Sequence, residues 1–170
     1  TAKLAEKKKK EQSTEDSSKL VEKELEQTNM YLGKTDVEGQ GITITLQENK
    51  DAEAGITSDN LNMIVNELKE AGAEAISIND ERIINMTDIV SVNENTVIRV
   101  NQQRVVSPYV IKAIGNKAYL ESAVSISSSM LQALKEEGHG VEIQTSGYNR
   151  PVVIKAYTGT IDKKYMKDKE

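Results

Sequence analysis

The chain has 170 residues, of which 37% are hydrophobic and 29% are charged, and its formal net charge is −5. Cysteine, Phe and Trp are absent, which excludes disulfides and Cys-based metal sites and requires an aliphatic core. Residues 1–34 hold eight Lys and seven acidic residues, whereas the remainder holds 14 basic and 20 acidic residues. A domain this acidic is a poor match for nucleic acid, because such binding depends on neutralising phosphates.

The length fits one domain with flanking segments. We expect residues 1–34 to form a disordered or helical stalk remnant, 35–159 a single domain, and 160–170 a disordered tail of alternating charges. No apolar run approaches the roughly 18 residues of a membrane-spanning helix. Because the chain begins with Thr1 rather than Met, we expect it to be a soluble fragment of a longer protein.

The N-terminal segment is polar up to residue 19, which predicts disorder or a solvated helix. Val21, Leu25 and Leu32 follow, with Thr28 between them, at spacings of four, three and four residues. These spacings match a heptad seam. Two interpretations stay open: the end of a coiled-coil stalk that continues upstream, and one amphipathic helix packed on the domain.

Residues 42–46 alternate apolar and polar side chains, which predicts a half-buried strand. A helix follows, capped by Thr57 or Ser58 and ended by Gly72, with an apolar stripe. A strand at 75–78 turns at 79–81 into a second strand at 82–84. The stripe consists of Leu61, Ile64, Val65 and Leu68.

The middle of the chain predicts short strands at 96–100 and 104–106, joined by a turn at 101–103. The remaining predicted elements are a strand at 109–114, a short helix at 117–123, a helix capped by Ser127 or Ser128 that buries Met130, Leu131 and Leu134, and strands at 141–144 and 152–154.

An internal repeat relates the two main helices. Residues 64–72 and 130–138 match at an offset of 66, with four identical and two similar apolar positions, and each copy leads directly into a strand. Two such strand–helix–strand halves predict an α+β fold of the ferredoxin-like type. Its sheet would be mostly antiparallel, with helices on one face and an inserted region of short strands.

A second repeat pairs Asn79 and Arg82 with Asn101 and Arg104, and each Asn is followed three residues later by the Arg. Asn tolerates left-handed backbone angles, so both segments predict tight hairpin turns. The functional alternative is that the arginine side chains are presented together to bind an anion or an acidic partner. The candidate ligand-binding residues are Asn79, Arg82, Arg99 and Arg104.

Little else in the chain points to chemistry. His139 is the single histidine, and its position after a helix end favours a structural or capping role. Ser127–Ser129 favour helix capping over anion binding, and a phosphate-binding loop motif is absent. We therefore expect neither catalysis nor a cofactor or metal site.

The sheet face opposite the helices is predicted to be polar and to lack the stacking aromatic residues of RNA-binding sheets. Small polar groups suit a protein partner or a neighbouring subunit better than nucleic acid bases. The residues expected on this face are Thr43, Thr45, Ser77, Asn79, Lys112, Glu142 and Gln144.

Four segments of the chain resemble the YlxW-like bacterial proteins, a domain-of-unknown-function family (DUF family 881). They are residues 39–46 (GQGITITL), 67–79 (ELKEAGAEAISIN), 82–83 (RI) and 108–115 (PYVIKAIG). The chain departs from the family at three turn positions, where Gln40 replaces a frequent Pro and Asp80 and Gln102 replace frequent Gly.

This resemblance implies a membrane anchor, a coiled-coil stalk and an extracytoplasmic domain, encoded near cell-division or envelope genes. The family carries no established catalytic residues. We therefore expect a non-catalytic interaction or scaffold domain of a membrane-anchored envelope protein, with self-association through the upstream coiled coil. The alternative is a sensor or binding domain for a small anionic ligand.

Overall fold

The computed structural model describes residues 2–94, 97–162 and 164–170. In this part of the chain the helices are α1 (Ala2–Tyr31), α2 (Ser58–Glu70), α3 (Lys117–Ser125) and α4 (Met130–Glu136). The strands are β1 (Val37–Gly39), β2 (Gly41–Gln47), β3 (Ala75–Ile78), β4 (Glu81–Arg82), β5 (Ile89–Val92), β6 (Val97–Val100), β7 (Gln103–Val105), β8 (Tyr109–Ile114), β9 (Gly140–Thr145) and β10 (Val152–Ile154).

The central sheet has five strands in the order β4-β3-β8-β2-β9, and all neighbours are antiparallel. Since β2 and β3 both run opposite to β8, they are parallel to each other, and α2 connects them. By the same reasoning β8 and β9 are parallel, and α3 and α4 connect them. The predicted α+β class with a mostly antiparallel sheet is confirmed.

The main core lies between this sheet and the helices. Along β2 the side chains alternate as predicted, so Ile42, Ile44 and Leu46 are fully buried while Thr43 and Thr45 are partly exposed. The helices contribute the predicted α2 stripe together with Leu120, Val124, Leu131 and Leu134. Burial of these aliphatic side chains is the main source of stability, at about 25 cal/mol for each Å² removed from water.

Both main helices end in the same backbone geometry, which explains the repeat at an offset of 66. Gly72 and Gly138 adopt φ of 89° and 96°, left-handed angles that side chains disfavour. In each copy the residue after the glycine donates to a carbonyl five residues back, as in a Schellman motif. These bonds join Ala73 N to Leu68 O (3.0 Å) and His139 N to Leu134 O (3.1 Å).

The N-cap of α4 differs from the prediction. Ser129, rather than Ser127 or Ser128, accepts the hydrogen bond from Gln132 N (3.4 Å). The Ser129 hydroxyl also donates to Val124 O at the end of α3 (2.8 Å) and is buried. This contact fixes the junction between the helices, so the cap is set by α3 and not by the local sequence. At α2 the predicted cap Thr57 is confirmed.

Two smaller sheets flank the central one. The antiparallel sheet β5-β6-β7 contains both predicted short strands, although Thr96 lies outside the described residues, and it adds β5, which was not predicted. The ribbon β1-β10 covers one end of the opposite sheet face, where Val152 and Ile154 pack on Ala75 and Ile114. The predicted strand at 82–84 is shorter, since β4 ends at Arg82.

The helix α1 is continuous over 30 residues, and none of its residues is buried. This excludes the interpretation in which the segment packs along the domain. No helix in the described part of the chain is both long and apolar enough to cross a membrane. The described residues of the segment 160–170 form no helix or strand.

Candidate functional site

The two predicted Asn-containing turns are confirmed as tight hairpins. Asn79 and Asp80 adopt φ of 48° and 66°, and Asn101 and Gln102 adopt 52° and 67°. Two consecutive positive φ angles define a type I′ turn, which matches the twist of antiparallel strands. Asp80 and Gln102, which stand where the resembling family favours Gly, therefore keep the geometry that Gly would supply.

The side chain of Asn79 is used within the fold. Its Oδ1 accepts from Val110 N (2.7 Å), and its Nδ2 donates to Val106 O (3.0 Å). Both ends of the amide thus hold the turn against the start of β8. Asn79, a predicted ligand-binding residue, therefore uses its side chain to stabilise the turn.

Arg82 lies at the junction between α1 and the domain and is 3% exposed. Its Nη2 donates to Met30 O (3.1 Å), and its Nη1 donates to Thr35 O (3.1 Å) and to Lys155 O (3.4 Å). Burial lowers the pKa of the guanidinium, while the nearby Asp36 carboxylate opposes this shift. Arg82 therefore joins the last turn of α1, the linker and the segment after β10.

Arg99 and Arg104 lie elsewhere, on the exposed face of the sheet β5-β6-β7. They are directly opposite each other on β6 and β7, and Val90 is opposite Arg99 on β5. Neither guanidinium is hydrogen-bonded or ion-paired to any residue that the structure describes. Like charges in opposed positions repel, so this pair is the part of the predicted site that is available to an anion.

The predicted polar sheet face is real, and it forms a row across all five strands. Register places Arg82, Ser77, Lys112, Thr43 and Gln144 side by side from β4 to β9. The prediction that Ser77 is displayed on this face is wrong, because Ser77 is only 1% exposed. Its hydroxyl group has no hydrogen-bond partner among the described residues.

A groove of about 610 Å³ opens over the centre of this row. Lys112 and Thr43 line its floor, and the loop after β9 forms one wall, including Arg150. The ammonium of Lys112 lies 3.8 Å from the Asp80 carboxylate, which also contacts Lys155 Nζ at 3.4 Å. Sequence reasoning missed Arg150, since its loop returns to the sheet face only through the pairing of β10 with β1.

His139 is 4% exposed and bridges two loops. Its Nδ1 accepts from Asn49 N (3.0 Å), and its Nε2 lies 3.0 Å from Ala54 O, to which it donates. These partners require a neutral ring with the proton on Nε2. His139 thus has a structural role, because its two hydrogen bonds hold the loop 49–54 against the turn before β9.

Glu67 is a partly buried acidic residue that the sequence did not single out. Its Oε1 accepts from Met130 N (2.9 Å), the first backbone amide of α4, while its Oε2 is buried without a partner among the described residues. Burial raises the pKa of this carboxyl, although the hydrogen bond from Met130 opposes the shift. Glu67 therefore links α2 to the start of α4.

Among the residues that the structure describes, no group of three or more His, Asp or Glu side chains is placed to hold a metal ion. The geometry defines a class: a small antiparallel α+β domain that carries a long exposed N-terminal helix.

Within this class, the chain belongs to the family described as "Bacterial protein of unknown function (DUF881)", whose model matches residues 24–167. This confirms the resemblance noted from the sequence. The chain is 26% identical over 121 residues to the UPF0749 protein YlxW of Bacillus subtilis, covering 67% of this chain and 52% of that protein.

Two further matches come from Mycobacterium tuberculosis. The UPF0749 protein Rv1825 is 30% identical over 118 residues, covering 68% of this chain and 39% of that protein. The crystal structure of an uncharacterized conserved protein from this organism has a TM-score of 0.71 and 26% identity, covering 85% of this chain and 99% of that one. The chain thus spans about half, or less, of the length of the curated relatives it matches.

Proposed function

We propose that the chain is a non-catalytic interaction domain of a membrane-anchored bacterial envelope protein, held outside the cytoplasm on a helical stalk. The envelope setting rests on what the resemblance to the YlxW-like family implies, including the link to cell division or envelope assembly. The domain itself is assigned to the ferredoxin-like type. Its strand order and its two interleaved strand–helix–strand units support this assignment.

The observation that carries the proposal is the exposure of α1. Leu25 and Val21 are 58% and 62% exposed on a helix that buries no residue. In proteins most of the stability of a helix comes from packing of its apolar face and not from intrinsic propensity. A second copy of the same helix would cover Val21 and Leu25, the part of the heptad seam that lies within α1, in a parallel coiled coil.

The non-catalytic part of the proposal is supported by His139. Both of its ring nitrogens are engaged with backbone groups, so the ring has no free nitrogen for proton transfer to a substrate. The chain has no second histidine and no cysteine to serve as a nucleophile.

The proposed pairing of α1 is tested with a single engineered thiol, because the chain has no cysteine of its own. Leu25→Cys places a thiol on the seam, where the two copies approach closely. We expect Leu25→Cys to form a disulfide-linked dimer under mild oxidation. Non-reducing electrophoresis of samples taken over time measures the rate at which this cross-linked dimer forms.

Leu20→Cys is the matched control, since Leu20 is 59% exposed on the same helix but lies off the seam. It should cross-link much more slowly, and equal rates for the two variants would contradict the pairing. In intact cells that carry the full-length protein, a membrane-impermeant thiol reagent should label Leu20→Cys, because residue 20 is exposed and stays uncovered when the seam is paired. Protection until the cells are lysed would argue against the extracytoplasmic placement.

A second candidate function is binding of a small anion by Arg99 and Arg104, whose guanidinium groups lie opposite each other and have no hydrogen bond or ion pair to any described residue. Citrate or inorganic phosphate should then raise the melting temperature in a dose-dependent manner, and Arg104→Gln should abolish the rise. Arg150→Gln, an exposed arginine outside this pair, is the control. A shift that survives in Arg104→Gln would remove this candidate.

A further inference from the structure

The strand β9 forms one edge of the central sheet. It pairs with β2 on one side, and no strand in the described part of the chain pairs with its other side. Its six residues contain no Pro or Lys, which are common protective residues on sheet edges. Four of the six are exposed, so the edge is open to another chain.

The outward-facing backbone groups of β9 follow from its bonds to β2. Ser146 N donates to Gly41 O (2.9 Å), and these two residues continue the register of the ladder. Antiparallel residues alternate between bonding inward and facing outward. Gln144 and Glu142 therefore bond toward β2, whereas the N–H and C=O groups of Val141, Ile143 and Thr145 point away from the sheet.

We propose that this edge pairs antiparallel with the β9 edge of a second copy of the chain. Centring the two-fold axis on Ile143 aligns Ile143 with its own counterpart and Val141 with Thr145 of the partner. All three outward-facing residues then form bonded pairs, giving about six backbone hydrogen bonds. The two central sheets would become one continuous sheet of ten strands, in which the β9 edge of each copy is paired.

Charge favours this register over its neighbours. In the proposed pairing Glu142 is opposite Gln144 of the partner, a carboxylate against an amide that can donate to it. Shifting the axis to Glu142 would oppose two carboxylates and would leave fewer outward groups paired, and like charges in opposed positions are destabilising. Within one chain Gln144 Nε2 already donates to Glu142 Oε1 (2.9 Å), so the two side chains share one face of the strand.

The other edge of the sheet does not offer the same surface. The strand β4 has only two residues, and Arg82 O on this strand already accepts from Asn101 Nδ2 (2.7 Å). Self-pairing through the sheet is therefore assigned to β9 alone. The surface is separate from the seam on α1.

The test exchanges charge at Gln144 in the full 170-residue chain and measures self-association by analytical ultracentrifugation. Gln144→Lys would place two Lys–Glu142 pairs across the two-fold axis, and Gln144→Glu would place two Glu–Glu142 pairs there. We expect the first to tighten the dimer and the second to weaken it, each by about two- to thirtyfold.

The same exchanges at Gln103, which is exposed on β7, are the matched control and should leave the dimer constant unchanged. A chain that stays monomeric in all variants, or equal constants for Gln144→Lys and Gln144→Glu, would overturn the proposal. Failure of the α1 pairing is recognised separately, because the Leu25→Cys result does not depend on residue 144.

Discussion

Replacing Gly41 by alanine is expected to destabilise the domain by about 3 kcal/mol, a value at the upper end for overpacking. The added Cβ would overlap the carbonyl oxygen of Ala113 and lie 2.9 Å from its carbonyl carbon. These are backbone atoms of β8, so no side-chain rotation relieves the contact. The strand β2 would have to move although it is bonded to β8 on one side and β9 on the other.

Chemical denaturation of Gly41→Ala, with an unchanged denaturant dependence, measures this loss. Gly39→Ala is the matched control two residues earlier. There the new Cβ would lie 2.9 Å from Ile114 Cγ2, a side-chain atom that can move, so a loss of about 1 kcal/mol is expected. Equal losses in the two variants would show that the close approach of β2 to β8 is not the cause.

Replacing Arg82 by alanine is expected to destabilise the protein by about 3 kcal/mol as well, because it removes a buried guanidinium group that donates to three backbone carbonyl groups. The carbonyl groups of Met30, Thr35 and Lys155 would lose the hydrogen bonds from Arg82. These bonds join α1, the linker after it and the segment after β10 to the domain. Denaturation measures the total loss. Amide hydrogen exchange should additionally rise at Tyr157, whose N–H donates to Gly33 O (2.7 Å) within the same junction.

Arg99→Ala serves as the comparison, since Arg99 is exposed and unpaired among the described residues and should change stability by no more than about 0.5 kcal/mol. If Arg82→Ala and Arg99→Ala are equally mild, the guanidinium does not hold the junction. Arg82 would then return as a candidate for ligand binding.

Local chemistry explains why many elements could be predicted. The alternation at 42–46, the stripe of α2, the stop at Gly72 and the Asn79 turn depend on residues within a few positions of one another. Each was predicted at the right place. The strand β5 (Ile89–Val92) was missed because its four residues do not alternate apolar and polar side chains, and so short a segment is ambiguous without its partner strand.

The candidate site could be predicted only in part. Sequence repetition correctly indicated that Asn79 and Asn101 shape equivalent turns, but it could not separate the roles of the arginines. Arg82 is buried because Met30 and Lys155 converge on it from distant parts of the chain. Arg104 stays exposed because its strand lies in a sheet whose other face packs on α2.

The sequence by itself determined the class of fold, the family and most helix and turn boundaries, since capping, periodicity and left-handed residues act over a few positions. Only the tertiary structure showed that α1 has no buried residue, that Arg82 joins the last turn of α1 to the domain by hydrogen bonds, and that β9 is an edge strand of the central sheet. These features depend on contacts between residues tens of positions apart, and local propensity carries no information about which distant segments will meet.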